Sequence, residues 1–215
     1  MSRVVIPEYK LSEELINSIT HGIGAGLGVA ALVLCVVKAA VNGSAIGVVG
    51  SCLYGAGMII AYVISCIYHA LARNRAKVVF RVLDHCDIFF MIACTYTPFC
   101  LISLKGAVGW VLFGVVWGLA ALGIVFNAVN LEKFSKPSTV VYVLIGWCVI
   151  FAIKPLYEAI GTGGLMFLVL GGVLYTIGAV LYGIGSKVRY MHSVFHLFVI
   201  AGSVMQFFAV YLYVL

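Results

Sequence analysis

The chain has 215 residues, of which 64% are hydrophobic and only 9% charged, with a formal net charge of +6 and a mean hydropathy of +1.19. Soluble domains carry roughly a quarter charged residues. This composition therefore excludes a soluble enzyme or a basic nucleic-acid-binding domain, and predicts an all-α polytopic membrane protein.

In chain order, residues 1–17 form a mostly polar lead-in without a small-residue cleavage site, so they do not read as a secretory signal. Ser12, followed by Glu13, Glu14, Leu15 and Ile16, reads as the cap of a short amphipathic helix at the cytoplasmic interface, or equally as a simple lead-in turn. Residues 18–215 then divide into seven apolar spans: Ser18–Ala40, Ala45–Leu71, Leu83–Ser103, Val108–Asn127, Thr139–Ile153, Gly163–Gly185 and Met191–Leu215. Each is near the ~20 residues that cross a bilayer. The fifth is the weakest, because Lys154-Pro155 interrupts it, with Pro155 placed to kink it and Lys154 to snorkel.

Basic residues orient the spans. The N-terminal segment and the second, fourth and sixth loops hold ten: Arg3, Lys10, Arg73, Arg75, Lys77, Arg81, Lys133, Lys136, Lys187 and Arg189. The other side holds three, Lys38, Lys105 and Lys154. This bias places the N-terminus in the cytoplasm and the C-terminus outside, as seven crossings of the plasma (inner) membrane require.

The seven cysteines, Cys35, Cys52, Cys66, Cys86, Cys94, Cys100 and Cys148, contain no C-x-x-C pair. They read as small packing residues, with Cys66 and Cys86 close enough to histidines to serve as soft ligands. Gly22-x3-Gly26 and Gly24-x3-Gly28 offer small-residue faces for close helix contact in the first span, as do Gly55, Gly57, Gly171 and Gly172 elsewhere.

All five histidines, His21, His69, His85, His192 and His196, sit at span edges on the cytoplasmic side. His192-x3-His196 places two imidazoles on one helix face. His69 ends the second span, with Ser65 one turn earlier, and Asp84 opens the third. His69, His192 and His196 can supply three imidazoles to one ion with a fourth position open, the arrangement of catalytic zinc, although other transition metals also accept imidazole. Asp84 is placed to bond a ligand imidazole or a bound water. Each residue taken singly has a plainer reading. An interfacial histidine snorkels, Asp84 caps its helix, His85 pairs with Arg81 one turn back, and Asp87 lines the same cavity or meets a basic loop residue. Their coincidence on one side favours the metal site.

Ser18-Ile-Thr-His21-Gly-Ile-Gly24, Ser65-Cys-Ile-Tyr-His69, Leu83-Asp84-His85, Thr95-Tyr-Thr-Pro98 and His192-Ser-Val-Phe-His196 together resemble the haemolysin III family, within the wider progestin and adipoQ receptor superfamily. The resemblance runs from about Glu13 to the C-terminus. It implies a seven-helix bundle with a cytoplasmic N-terminus, zinc held by His69, His192 and His196, and Ser65 and Asp84 near the bound water. Asp87 and Cys94 depart from the pattern, standing where relatives usually carry small residues and implying a more polar cavity. Gln206 stands where many bacterial members carry another histidine.

Two function classes follow. In the first, zinc lowers the pKa of water toward ~7 and Asp84 takes its proton during attack on a lipid amide or ester; a link of the superfamily to ceramide-type amide hydrolysis supports this by resemblance. The second is non-enzymatic: a zinc-stabilised sensor, a channel or a pore-forming haemolysin. Polarity concentrated at one end of the spans favours a half-buried lipid pocket over a channel. Membrane lipids are the expected partners, nucleic acid is not, and association of identical copies is left open.

Overall fold

In a hydrocarbon layer a spanning backbone must satisfy its N–H and C=O groups internally, so an apolar chain of this kind becomes helices. A computed structural model describes residues 4–185 and 188–215, and these are all-helical: α1 (Leu11–Val41), α2 (Ala45–Ala70), α3 (Arg75–Pro98), α4 (Ala107–Val129), α5 (Leu131–Gly146), α6 (Ile153–Ile184) and α7 (Met191–Ala209). Short irregular pieces extend three of them: π-helical turns at Phe99–Ser103 and Val210–Val214, and a 3-10 turn at Cys148–Ala152 between α5 and α6. Among the described residues six helical segments are long and apolar enough to cross a membrane, one of them the 54-residue stretch Leu131–Ile184. Arg3 and Lys187, two of the basic residues in the charge count, lie outside the described residues.

The helices form a ring. Each packs on the next in chain order, and α7 closes onto α1. The inward stripes follow helical periodicity. On α4 the buried positions are Gly109, Leu112, Val116, Ala120, Gly123 and Asn127, three or four residues apart as one face requires. Gly123 admits the Phe89 ring, with which any added Cβ would clash. On α1 the stripe runs Glu13, Asn17, His21, Gly24, Gly28, Ala31, Cys35 and Ala39. Its chemistry changes along its length, polar at the N-terminal end and small or apolar beyond, and this change puts the site at one end of the bundle.

Several expectations are corrected. Helix α1 starts at Leu11, not at Ser18, so its first turns continue what reads as a separate interfacial helix. Its cap is not Ser12: the Glu13 carboxylate accepts from the Lys10 backbone N–H at 3.0 Å. Pro155 produces no kink, because α6 begins at Ile153 and proline in a first turn removes no helical hydrogen bond. The departure from helical geometry falls at Gly161, with φ of 65°, a left-handed conformation that glycine adopts without a Cβ penalty. Of the two small-residue faces in α1, Gly24 and Gly28 meet Tyr62 and the Met58–Ile59 turn of α2, whereas Gly26 faces open space.

Candidate metal centre

Two elements deliver the histidines. His69 ends α2, and His192 and His196 open α7 on one face. The His192 Nε2 lies 3.1 Å from Nε2 of His69 and 3.0 Å from Nε2 of His196. The three ligand atoms lie within 4.8 Å of one another, so this trio could hold a metal ion. Ligands about 2.0–2.1 Å from a tetrahedral zinc sit about 3.3 Å apart, close to the separations seen.

The outer nitrogens explain why the inner ones converge. His69 Nδ1 meets the Glu14 carboxylate at 2.6 Å, and the other oxygen of Glu14 accepts from Lys77 Nζ at 2.6 Å. A carboxylate on Nδ1 places the imidazole proton there and turns the Nε2 lone pair inward. Thr20 Oγ1 donates to the Ile16 carbonyl and stands 3.4 Å from His196 Nδ1, so it can accept that proton in the same way. His192 then has one proton to offer two facing lone pairs, and hydrogen bonds alone leave the trio incomplete. A metal ion would complete it. The residues present therefore fit the donor set of a three-imidazole metal site.

Around this trio the packing is tight. Asn17 accepts from Ser193 Oγ at 2.5 Å, tying α1 to α7. His21 stacks on His196 with centroids 3.5 Å apart, and both of its ring nitrogens lack a hydrogen-bond partner. Tyr9 stacks on His192 at 5.3 Å, and burial raises its phenol above its ordinary range. The segment before α1 is strapped down over this end. Arg73 donates to the Ile6 carbonyl at 2.9 Å, Arg81 donates to the Val5 carbonyl, and the Val5 N–H donates to Glu132 at 2.9 Å.

A cavity of about 170 Å³ opens from the site into the ring of helices. His192, His196, His21, Ser65 and Asp84 line it at the polar end, together with Pro7 and Tyr9, and Gln206 lines it farther along α7. Ser65 and Asp84 share the cavity with two of the three histidines. The carboxylate on a ligand imidazole belongs to Glu14, however, and not to Asp84. His85 also lines the cavity, but Arg81 turns away from it to Glu132 at 2.7 Å. Cys66 and Cys86 are not among the metal-ligand trio: Cys66 meets Ser18 at 3.4 Å and Cys86 donates to the Ile124 carbonyl. Sequence reasoning missed Glu14 and Lys77, reading them as an interfacial acid and a topology charge. The available signal was Glu14-x2-Asn17-x3-His21, three polar residues on one face of an apolar helix.

The family model described as haemolysin-III related matches residues 9–207. The chain is 42% identical over 205 residues to Hemolysin-3 of Bacillus cereus, covering 95% of this chain and 93% of that protein. It is 40% identical over 205 residues to the Hemolysin-3 homolog of Bacillus subtilis (strain 168), covering 95% and 96% respectively. A more distant likeness, 23% over 168 residues, links it to the human Monocyte to macrophage differentiation factor, covering 75% of this chain and 68% of that one. This multi-pass membrane protein belongs to the haemolysin-III related family.

Proposed function

We propose that the chain crosses the membrane seven times, with its N-terminus cytoplasmic and its C-terminus outside, and hydrolyses an amide or ester of a membrane lipid at a zinc held by His69, His192 and His196. The observation that carries this reading is the convergence of three imidazoles at the polar end of a cavity whose walls are otherwise largely apolar, including Ala61, Ile88, Met91, Ile92 and Val199. Bound there, zinc would act as a Lewis acid toward water and a carbonyl. Asp84 would take up the proton of the attacking water and pass it to the leaving group. Ser65, 4% exposed and lining the same cavity, would orient that water through its hydroxyl. The apolar walls would hold the acyl chain. An activity of this kind would adjust membrane lipid composition.

The test compares membrane lipids from cells with the chain, without it, and with it after chelator treatment of purified protein presented with the same lipid extract. Disappearance of one lipid class with release of its fatty acid, reversed by chelation and restored by zinc, is the expected result. An unchanged lipid profile with zinc bound would move the reading to a metal-stabilised sensor, channel or pore-forming haemolysin.

Crossing number has its own support. At 1.5 Å per residue the stretch Leu131–Ile184 would span about 80 Å as one helix, against about 30 Å of hydrocarbon. Gly163 and Gly164 lie against Tyr213 near the C-terminal end, while Gly185 lies against Met191 at the histidine end. Both contacts fit a reversal at Gly161 and two crossings. A reporter active only in the cytoplasm is expected to be silent when fused after Leu215 and active when fused in the loop before α7. Strong activity after Leu215 would overturn the seven-crossing topology.

A further inference from the structure

Asp87 lies one helical turn beyond Asp84 on α3 and lines the same cavity. It is 6% exposed, and its Oδ2 has no hydrogen-bond partner. Among the described residues no cation pairs with it, because the nearby basic side chains are committed elsewhere: Arg81 to Glu132 and Lys77 to Glu14. It is not one of the metal-ligand trio. A buried polar atom left unpaired costs free energy, more so when the group can carry charge. Native structures seldom keep such a group unless something absent completes it.

The cavity identifies what that completing group must be. Of the residues that line the cavity, Ile88, Met91 and Ile92 offer no donor, and the hydroxyls of Tyr96, Thr139 and Tyr142 already donate to backbone carbonyls, so the partner arrives with the ligand. We propose that Asp87 anchors the bound lipid by accepting a hydrogen bond from an O–H or N–H of its polar part. The ligand is then a lipid whose carbonyl lies beside a hydroxyl or amide donor, and a simple ester without donors lacks the partner that Asp87 requires. This rests on the lipid-hydrolase reading for the identity of the ligand, but it concerns binding and can be measured without turnover.

The probes are the ethanolamide of palmitic acid and its N,O-dimethyl derivative, which keeps the carbonyl and chain but has no donor. Binding to the full chain in detergent is followed by tryptophan fluorescence, since Trp147 lines the cavity. Wild type is expected to bind the donor-bearing probe at least about tenfold more tightly, the cost of leaving a buried acceptor without its hydrogen bond. Asp87→Leu is expected to abolish that preference while the thermal midpoint of the empty protein holds or rises, because an unpartnered carboxyl has been replaced by an apolar group. Asp87→Ala, which cannot clash, provides the same readout if the leucine variant does not fold. Equal affinity of wild type for both probes, or a preference surviving in either variant, would overturn the proposal. A drop in the empty protein's midpoint in both variants would overturn it too, by making the carboxyl structural. Absence of turnover with the preference intact would count against the hydrolase reading alone.

Discussion

Asp84→Asn is expected to retain its zinc and lose lipid hydrolysis by roughly 10²–10⁴-fold in kcat, the ordinary worth of a positioned general base. The two readouts separate because Asp84 lines the cavity without belonging to the trio that could hold the ion, and because the carboxylate on His69 comes from Glu14. Asparagine keeps the size and one hydrogen-bonding oxygen of the side chain but cannot take up a proton. KM should change little, since the acyl chain is held by the apolar walls. The measurement is metal content by elemental analysis beside turnover on the lipid class that chelation identifies. Full activity with zinc retained would remove the carboxylate from the chemistry. Loss of zinc together with activity would make Asp84 a support of the metal site.

The helices and three of the site residues were legible in the sequence for the same reason: periodic apolar stripes and an i, i+4 histidine pair are local patterns. The four-residue spacing of His192 and His196 fixes their common face, and α7 places both on the cavity. What stayed hidden depends on contacts between helices. Glu14 reads as an ordinary first-turn acid until α1 packs against α2 and brings it to His69, 55 residues away. Lys77 likewise counts as one more cytoplasmic charge until it is seen buried on Glu14. The break in the long stretch before α7 misled for a different reason. Pro155 is the stronger punctuation mark in sequence, yet its position in the first turn of α6 makes it harmless, while Gly161 uses a left-handed conformation that leaves no signature in composition. His21 and Asp87 illustrate the remaining gap. Their residue types mark them as candidates, but only the packing shows that each is buried with an unpartnered atom beside the cavity.

His192→Ala is expected to bring metal from about one zinc per chain to background, because a structural or catalytic zinc site relies on three or four protein ligands. His192 is the sharpest test of the trio, since its Nε2 lies within 3.1 Å of both other histidines. The rest of its ring makes no hydrogen bond, its Nδ1 being without a partner, so alanine removes a ligand and no hydrogen bond outside the trio. Glu14→Gln tests the support of the site by contrast. It leaves all three imidazoles in place but weakens the hold on the Nδ1 proton of His69, and should lower zinc affinity in chelator competition by about 10- to 100-fold. Zinc in the glutamine variant should therefore reappear at higher free metal, whereas in His192→Ala it should not. Equal zinc in wild type and His192→Ala would show that the histidines meet for packing alone. An unchanged affinity in Glu14→Gln would instead confine the metal's requirements to the imidazoles and leave the Glu14–Lys77 pair as a tie between α1 and α3.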